Sequence, residues 1–465
     1  MLISKYILDI YNFLGVIPIM ALTLILVSCL VGVHFFDAFE SGTRLAISLT
    51  GISAIIHLLV KVYKPAMSSF INTTGIHLTV IDVGWAPLAT ITWGTPYTLL
   101  FLLITILTNL FMIKIRWTTT LDVDIFDIWH VAFTALLAMY FGANIFTAVI
   151  LVIVLGILKL KNSDLMKPTF NDLLNNWNNP MTSTHMNYMI NPLLMLFNKI
   201  FDIFLSPLDK YDFDVSKLNE KIGFWGSNFI IGCYLGVFVG MVGKMPGSRI
   251  FVLSFTGGVA LQLFAEIGAW FVKAVDGLTQ RITELLNKFL KNRNLNVGLD
   301  WAFINERSEI WGAANILAPI MLIESLVLPG NHILPLGGII AMGVTPALLV
   351  VTQGHIIRMI FIGALELPLF LWAGTLSAPF VTQTVSSLSV SGIQKGIMIG
   401  ASTKEGPIEQ FLAYLFGKAS SSEKYMLYAF VALTVYLLVF YWYSREMQKR
   451  NKIYWKFQRQ QGESN

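Results

Sequence analysis

Apolar runs close to 20 residues long recur along almost the whole of this 465-residue chain, and they leave few folds open to it. The clearest cover 13–36, 45–61, 96–113, 128–143 and 144–158, then 223–242, 250–272, 308–328, 332–351, 354–375 and 423–443. A helix of about 20 residues crosses a hydrocarbon core of ~30 Å, whereas a spanning strand needs only about ten residues of alternating character. Charged residues make up 13% of the chain, against about 25% in a typical soluble domain, which excludes a soluble enzyme with a single anchor. Backbone groups in lipid must be satisfied within the spanning structure itself, and without barrel patterning that leaves helices. The sequence predicts an all-α polytopic membrane protein with about 10–12 transmembrane helices. The stretch 376–417 is apolar but broken by Gly392, Gly396, Gly400 and Gly406-Pro407, as expected of a re-entrant or hairpin segment buried in protein.

Two carboxylates interrupt this apolar sequence in similar phrases, Val80-Ile81-Asp82-Val83-Gly84-Trp85 and Val297-Gly298-Leu299-Asp300-Trp301. A carboxylate near the bilayer centre costs about 2.5–3.5 kcal/mol even on the lenient insertion scale. In each half a span (45–61 or 250–272) leads to the Asp phrase, and a further span ends at an Asn, Asn109 or Asn331. That order suggests a duplication, and the sparse loop charges make the copies antiparallel, as inverted repeats. The chain divides into a first membrane repeat (1–158), a linking loop region (159–222), a second membrane repeat (223–417), and a final helix with a basic tail (418–465). Within 276–292, Leu278, Ile282, Leu285, Leu286, Phe289 and Leu290 recur at helical spacing. This piece is expected to lie along the cytoplasmic interface or to be an ordinary surface helix between spans.

Asp82 and Asp300 are the leading site candidates, as a polar midplane site where unwound backbone from two repeats meets. The competing reading is a helix cap, although Ser or Asn would cap at a lower desolvation cost. Trp85 and Trp301 put flat apolar faces beside them, suited either to the C–H edges of a sugar or to the membrane interface. His130 opens an apolar span with Thr134 one turn on, a pair able to donate and accept for a polyhydroxylated ligand or to serve the helix alone. His185, in Thr182-Ser183-Thr184-His185-Met186-Asn187, reads as an ordinary loop histidine. Glu306-Arg307-Ser308-Glu309 is placed to line a cavity entrance, and Glu324 and Arg358 are placed to pair across helices. No phosphate cradle, zinc-protease helix, nucleophile elbow or paired-cysteine motif occurs, so neither cofactor nor metal is implied and no catalytic centre is evident.

The formal charge of +5 does not indicate nucleic acid, because much of it lies in the tail after the last span, at Arg445, Lys449, Arg450, Lys452, Lys456 and Arg459. Such a cluster marks the cytoplasmic side. Cys29 and Cys233 both fall within apolar runs and suggest no disulfide framework. The first apolar run lacks a strongly basic start and is expected to be a retained span.

Four ordered phrases then carry a resemblance. His77-Leu78-Thr79-Val80-Ile81-Asp82-Val83-Gly84-Trp85, Asp124-Ile125-Phe126-Asp127-Ile128-Trp129-His130, Val297-Gly298-Leu299-Asp300 and Leu328-Pro329-Gly330-Asn331-His332-Ile333-Leu334-Pro335 resemble the galactitol-specific enzyme IIC component of the bacterial phosphotransferase system. That family is related to the ascorbate-specific permeases, and the match runs from the Pro18 region to the final span. The resemblance implies a homodimeric, elevator-type protein of the bacterial plasma membrane, with scaffold and core domains. It also implies a polyol substrate and separate IIB and IIA subunits, IIB supplying the phosphocysteine. The substrate positions it implies are Gly51, Ser53, Asp82, Trp85, His130, Thr134, His185 and Asp300. Two departures are visible: Thr184-His185-Met186 replaces the branch's Pro-His-Gly, and Phe224-Trp225-Gly226-Ser227-Asn228 stands where a Gly-Glu-Pro is usual. The alternatives are an ion-coupled secondary carrier of the same fold, with Asp82 and Asp300 as proton or cation sites, and an ascorbate- or pentitol-type permease. An intramembrane enzyme built on His130 and an Asp would need a metal-spaced or nucleophilic set that the sequence lacks.

Overall fold

Long apolar segments become long helices here, and where the apolar pattern breaks the chain forms short strands. The computed structural model describes residues 15–122, 128–175, 181–289, 295–299, 307–340, 342–387, 398–403 and 406–462. Among these, seven helices are long and apolar enough to cross a bilayer: Phe35–Thr74, Tyr97–Lys114, Ile145–Leu173, Gly247–Ile282, Ser308–Val327, Ile356–Ser386 and Glu423–Tyr454. Two bent pairs, Met186–Ile200 with Asp202–Tyr211 and Ser216–Gly226 with Asn228–Val242, bring the count to nine if each is one broken span. The apolar helices Val16–Val31 and Ile128–Tyr140 are shorter. The chain is thus a multi-pass, all-α membrane protein.

Two expected segments differ from their sequence reading. Residues 332–351 do not form one helix: Ile333–Leu334 is a strand, turns follow, and only Thr345–Thr352 is helical. Apolarity alone does not separate a buried hairpin from a span, and Pro335, Gly337 and Gly338 end regular structure here. The amphipathic piece from residue 276 is not a separate interfacial helix, because the 43-residue helix Gly247–Phe289 runs through it. Arg281 turns inward, donating from Nε to the Val31 carbonyl at 3.4 Å and from Nη1 to Glu284 Oε2 at 2.9 Å. A cation at the carbonyl end of helix Val16–Val31 opposes its dipole and fixes the two helices together.

Four helices, Val16–Val31, Phe35–Thr74, Asn228–Val242 and Gly247–Phe289, pack as one group. Their closeness rests on small residues. A Cβ on Gly232 would stand 2.5 Å from the Gly257 carbonyl oxygen, and one on Gly236 would strike the Ser254 backbone. Gly232, Gly236 and Gly240 recur every fourth residue on one face, letting two backbones touch where lipid offers no hydrophobic driving force between helices. Arg44 bridges the group from another side, its guanidinium 4.3 Å above the Trp270 ring.

The remaining helices gather around two parallel three-stranded sheets. Strands β1 (Val80–Asp82), β2 (Thr120–Asp122) and β3 (Met181–Ser183) come from the amino-terminal side, and β4 (Asn296–Leu299), β5 (Ile333–Leu334) and β6 (Met398–Gly400) from the carboxy-terminal side. One sheet has the order β5-β1-β6, with Val80 opposite both Ile333 and Met398. The other has the order β2-β4-β3, with Val297 opposite both Leu121 and Met181. Each sheet takes its centre from one half and both edges from the other, so neither half completes a sheet alone. The central strands β1 and β4 are the ones that lead into the two Asp phrases. The two repeat-marking asparagines brace the edges: Asn109 donates to the Thr120 carbonyl and accepts from the Asp122 N–H, while Asn331 donates to the Ile333 carbonyl and accepts from its N–H.

Asp82 closes the first sheet. Its Oδ1 accepts from the Gly84 N–H at 2.8 Å, and its Oδ2 accepts from the N–H groups of Gly338 (3.0 Å) and Ser402 (3.2 Å) and from the Ser402 hydroxyl. This fully buried carboxylate joins the chain after β1, β5 and β6. Around Gly337 and Gly338 a side chain would collide with Gly84 and with Asp82 itself, which is why glycine occupies both positions.

Two outcomes test this architecture. Asp82→Ala strands three buried N–H groups at about 1–3 kcal/mol each, so it should lower the thermal midpoint of the detergent-solubilised protein sharply, with Asp82→Asn intermediate. An unchanged midpoint for Asp82→Ala would refute the stapling role. Gly236→Leu should cost at least the ~1–3 kcal/mol of overpacking and deplete the monodisperse peak in size-exclusion chromatography, whereas Gly247→Ala, with open space beside it, should not deplete that peak.

Candidate functional site

The residues that sequence alone kept apart, His130 and His185, stand together. His130 occupies the first turn of helix Ile128–Tyr140, and His185 follows β3 directly. Their ring centroids are 4.3 Å apart with the planes inclined at 61°, and Trp129 lies against His130 with a centroid separation of 3.7 Å. Both imidazoles are buried. His185 caps the short 3-10 turn Met186–Ile190: its Nδ1 accepts the Asn187 N–H at 3.0 Å. With Nδ1 accepting, the proton of the neutral ring resides on Nε2. Asn187 in turn donates from its amide to the Gly343 carbonyl at 2.8 Å, fixing this turn to the chain entering helix Thr345–Thr352. Tyr188 stands edge-on to His185, centroids 6.5 Å apart.

The other implied positions distribute as follows. Thr134 is buried one turn beyond His130, its hydroxyl donating to the His130 carbonyl at 3.0 Å. Asp82 lies under β1 with both oxygens accepting protein donors, so it shapes the local backbone. Trp85 opens helix Trp85–Trp93 and lays its ring on Gly268 of the long helix, where an added Cβ would be 3.0 Å from the ring. Gly51 faces the preceding residue, Ile267, at 2.8 Å by the same measure. Gly51 and Trp85 therefore meet consecutive residues of one helix, at the junction between the four-helix group and the strand-bearing group. Ser53 is half-buried on helix Phe35–Thr74. Asp300, with Trp301 and Glu306, lies outside the described residues, as do Asp124 and Asp127; the residue before Asp300, Leu299, accepts the Thr184 N–H at 2.9 Å.

Two charged features differ from expectation or were missed. Arg358 does not pair with Glu324. It donates to Asp209 through Nε and Nη2 (2.6 and 2.8 Å) and to Asp202 and Asn198 through Nη1. A forked guanidinium favours the paired oxygens of a carboxylate, and the linking region delivers Asp209 to the start of helix Ile356–Ser387. Asp209, Asp212 and His355 also place ligand atoms within 4.8 Å of one another. Those atoms are already engaged, Asp209 by Arg358 and Asp212 by the Ile357 N–H and the His355 ring, so the cluster reads as a docking clamp for that helix start. Arg307 of the expected entrance motif pairs with Glu309 and donates to the Leu173 carbonyl at 2.7 Å. The missed pair is Asp122 with Lys159, 2.8 Å apart and 6% and 1% exposed. The available signal was a lysine, Lys159, at the close of an apolar span.

Against this geometry, comparison with known proteins gives a consistent result. Residues 10–394 match the family model described as PTS system sugar-specific permease component, EIIC-GAT. The chain is similar to the PTS system galactitol-specific EIIC component of Escherichia coli strain K12, 24% identical over 421 residues, covering 89% of this chain and 90% of that protein. The protein of the same description from Escherichia coli O157:H7 matches to the same extent. A putative permease IIC component of strain K12 is 23% identical over 405 residues, covering 84% of this chain and 92% of the relative. The family match spans both sheets' central strands and both imidazoles, and by it this membrane protein belongs to the PTS system sugar-specific permease component family, EIIC-GAT.

Proposed function

We propose that the protein is the enzyme IIC permease of a phosphoenolpyruvate-dependent phosphotransferase system, binding a sugar alcohol of the galactitol type and presenting it for phosphorylation by a separate IIB subunit, itself charged by IIA. The observation that carries the pocket assignment is the buried His130–His185 ring pair. It sets two imidazoles beside flat aromatic surface, a combination suited to alternating hydroxyl and C–H faces of a polyol. Asp300, which follows β4 in sequence, is assigned to the same pocket, and Thr134, Ser53 and Gly51 to its surroundings. Asp82 is assigned to supporting it from beneath. With four donors already on Asp82, the cation site that an ion-coupled carrier would place there has little to recommend it.

The phosphoryl carrier belongs on another chain because a nucleophilic thiolate must be exposed in water. Cys29 and Cys233 sit within the apolar helices Val16–Val31 and Asn228–Val242. The tail bearing Arg445, Lys449, Arg450 and Lys452 favours a cytoplasmic carboxy terminus in the bacterial plasma membrane. We assign the glycine-tight four-helix group to a homodimeric scaffold and the strand-bearing group to a core that slides against it, with the Gly51–Ile267 and Trp85–Gly268 contacts at the boundary.

Vesicles supplied with phosphoenolpyruvate, the general phosphotransferase proteins, IIA and IIB should accumulate phosphorylated galactitol. Recovery of free polyol alone would overturn group translocation. In the same assay His185→Ala should raise the half-saturating polyol concentration by about tenfold or more, the equivalent of about 1.4 kcal/mol and within the ~1–3 kcal/mol of a buried hydroxyl left unpaired. Unchanged saturation would remove His185 from the pocket.

A further inference from the structure

The segment 182–188 that carries His185 is held from several sides, and one of the bonds that hold it leads to a buried ion pair. Asp122, the last residue of β2, accepts the Thr184 hydroxyl on Oδ1 at 2.9 Å, while its Oδ2 lies 2.8 Å from Lys159 Nζ. Its N–H donates to Asn109 Oδ1 at 3.1 Å, fixing the strand from which the carboxylate projects. Helix Ile145–Leu173 supplies Lys159 and, in its next turn, two more clamps on the same segment. Asn162 donates to the Tyr188 carbonyl at 2.8 Å, and Ser163 donates to the Ser183 carbonyl at 2.6 Å and accepts on its own carbonyl from the Thr182 hydroxyl at 2.7 Å. From the remaining side, the Thr184 N–H donates to the Leu299 carbonyl. Gly298 leaves room for the Thr184 methyl group, which a Cβ there would strike.

We propose that the Lys159–Asp122 pair is a positioning device for His185: Lys159 holds the Asp122 carboxylate, the carboxylate fixes Thr184, and Thr184 sets the imbedded imidazole against His130. The inference rests on the reading that His185 contacts the polyol. The physical case is that burying a full ion pair is costly and often no more stabilising than apolar residues of the same volume. A simple strand tie needs no charge, as Asn109 and Asn331 demonstrate at the sheet edges. A carboxylate offers two acceptor oxygens where an amide offers one. Asp122 uses one for the cation and the other for the hydroxyl, and charge-assisted bonds are roughly twice as strong as neutral ones. The hydroxyl so fixed belongs to the residue directly before the imidazole.

The test separates positioning from stability and from the pocket assignment itself. Thr184→Val keeps the methyl group and the volume, removes the donor and leaves the ion pair in place. In phosphorylating vesicles it should raise the half-saturating polyol concentration about five- to tenfold with the maximal rate changed less than twofold, and Thr184→Ser should restore wild-type saturation. Asp122→Asn should shift saturation in the same direction. In a double-substitution cycle, Thr184→Val should add little to His185→Ala, because one acts through the other. If His185→Ala impairs saturation while Thr184→Val and Asp122→Asn do not, the positioning role is wrong and the pocket stands. A lowered thermal midpoint with unchanged saturation would likewise assign the pair to stability alone. Wild-type saturation in His185→Ala would remove the pocket reading and this inference with it.

Discussion

Helices that stop inside an apolar protein interior leave backbone N–H and C=O groups that cost several kcal/mol each unless partners are found. The organisation of this protein follows from that requirement. Its irregular segments meet as two parallel triplets of short strands, and each triplet is completed only by chain from the opposite half. Repeats that each lacked a sheet edge would be unstable apart. Interlocked, they bury their broken ends against each other, and the ends become a rigid platform. His130 and His185 stand on that platform, one at a helix start beyond β2 and one directly after β3.

The two sheets stabilise buried carboxylates in different ways. Asp82 accepts from dipoles, three N–H groups and a hydroxyl from three chain segments. Such a site is stiff, because backbone donors do not swing. Asp122 instead has Lys159 on one oxygen and Thr184 on the other. A lysine is a flexible point charge, so the strand sets where the carboxylate stands and the charge strengthens its hold on the hydroxyl. One carboxylate fastens backbone to backbone, and the other links a strand to the residue beside the His185 imidazole.

Much of this was legible in the sequence, for identifiable reasons. Run length and scarcity of charge fix the membrane class, because the bilayer sets a length that helices must meet. The order of Asp82, Asn109, Asp300 and Asn331 suggested a duplication, and both asparagines brace sheet edges with their side-chain amides. Strands of two to four residues were not legible, since nothing so short shows a period. Residues 332–351 misled for the same reason, being apolar whether they span or fold back. The partner of Arg358 was also hidden. Asp202 and Asp209 lie far away in a polar linker, and Glu324 looked nearer only because it sits in a neighbouring apolar run. His185 read as an ordinary loop residue, and only the family resemblance placed it beside His130.

Under the proposed function, the Lys159–Asp122 pair reaches His185 through Thr184. Hydroxyls donate and accept in equal measure, so a pocket for them needs donors and acceptors held at fixed positions. Here Asp122 and Lys159 pair with each other, and the carboxylate also accepts the hydroxyl of Thr184, the residue directly before His185. The imidazole keeps Nδ1 occupied by the Asn187 N–H, which fixes its tautomer without charging the ring. The ion pair, the hydroxyl and the imidazole are thus held in series by neighbouring protein groups.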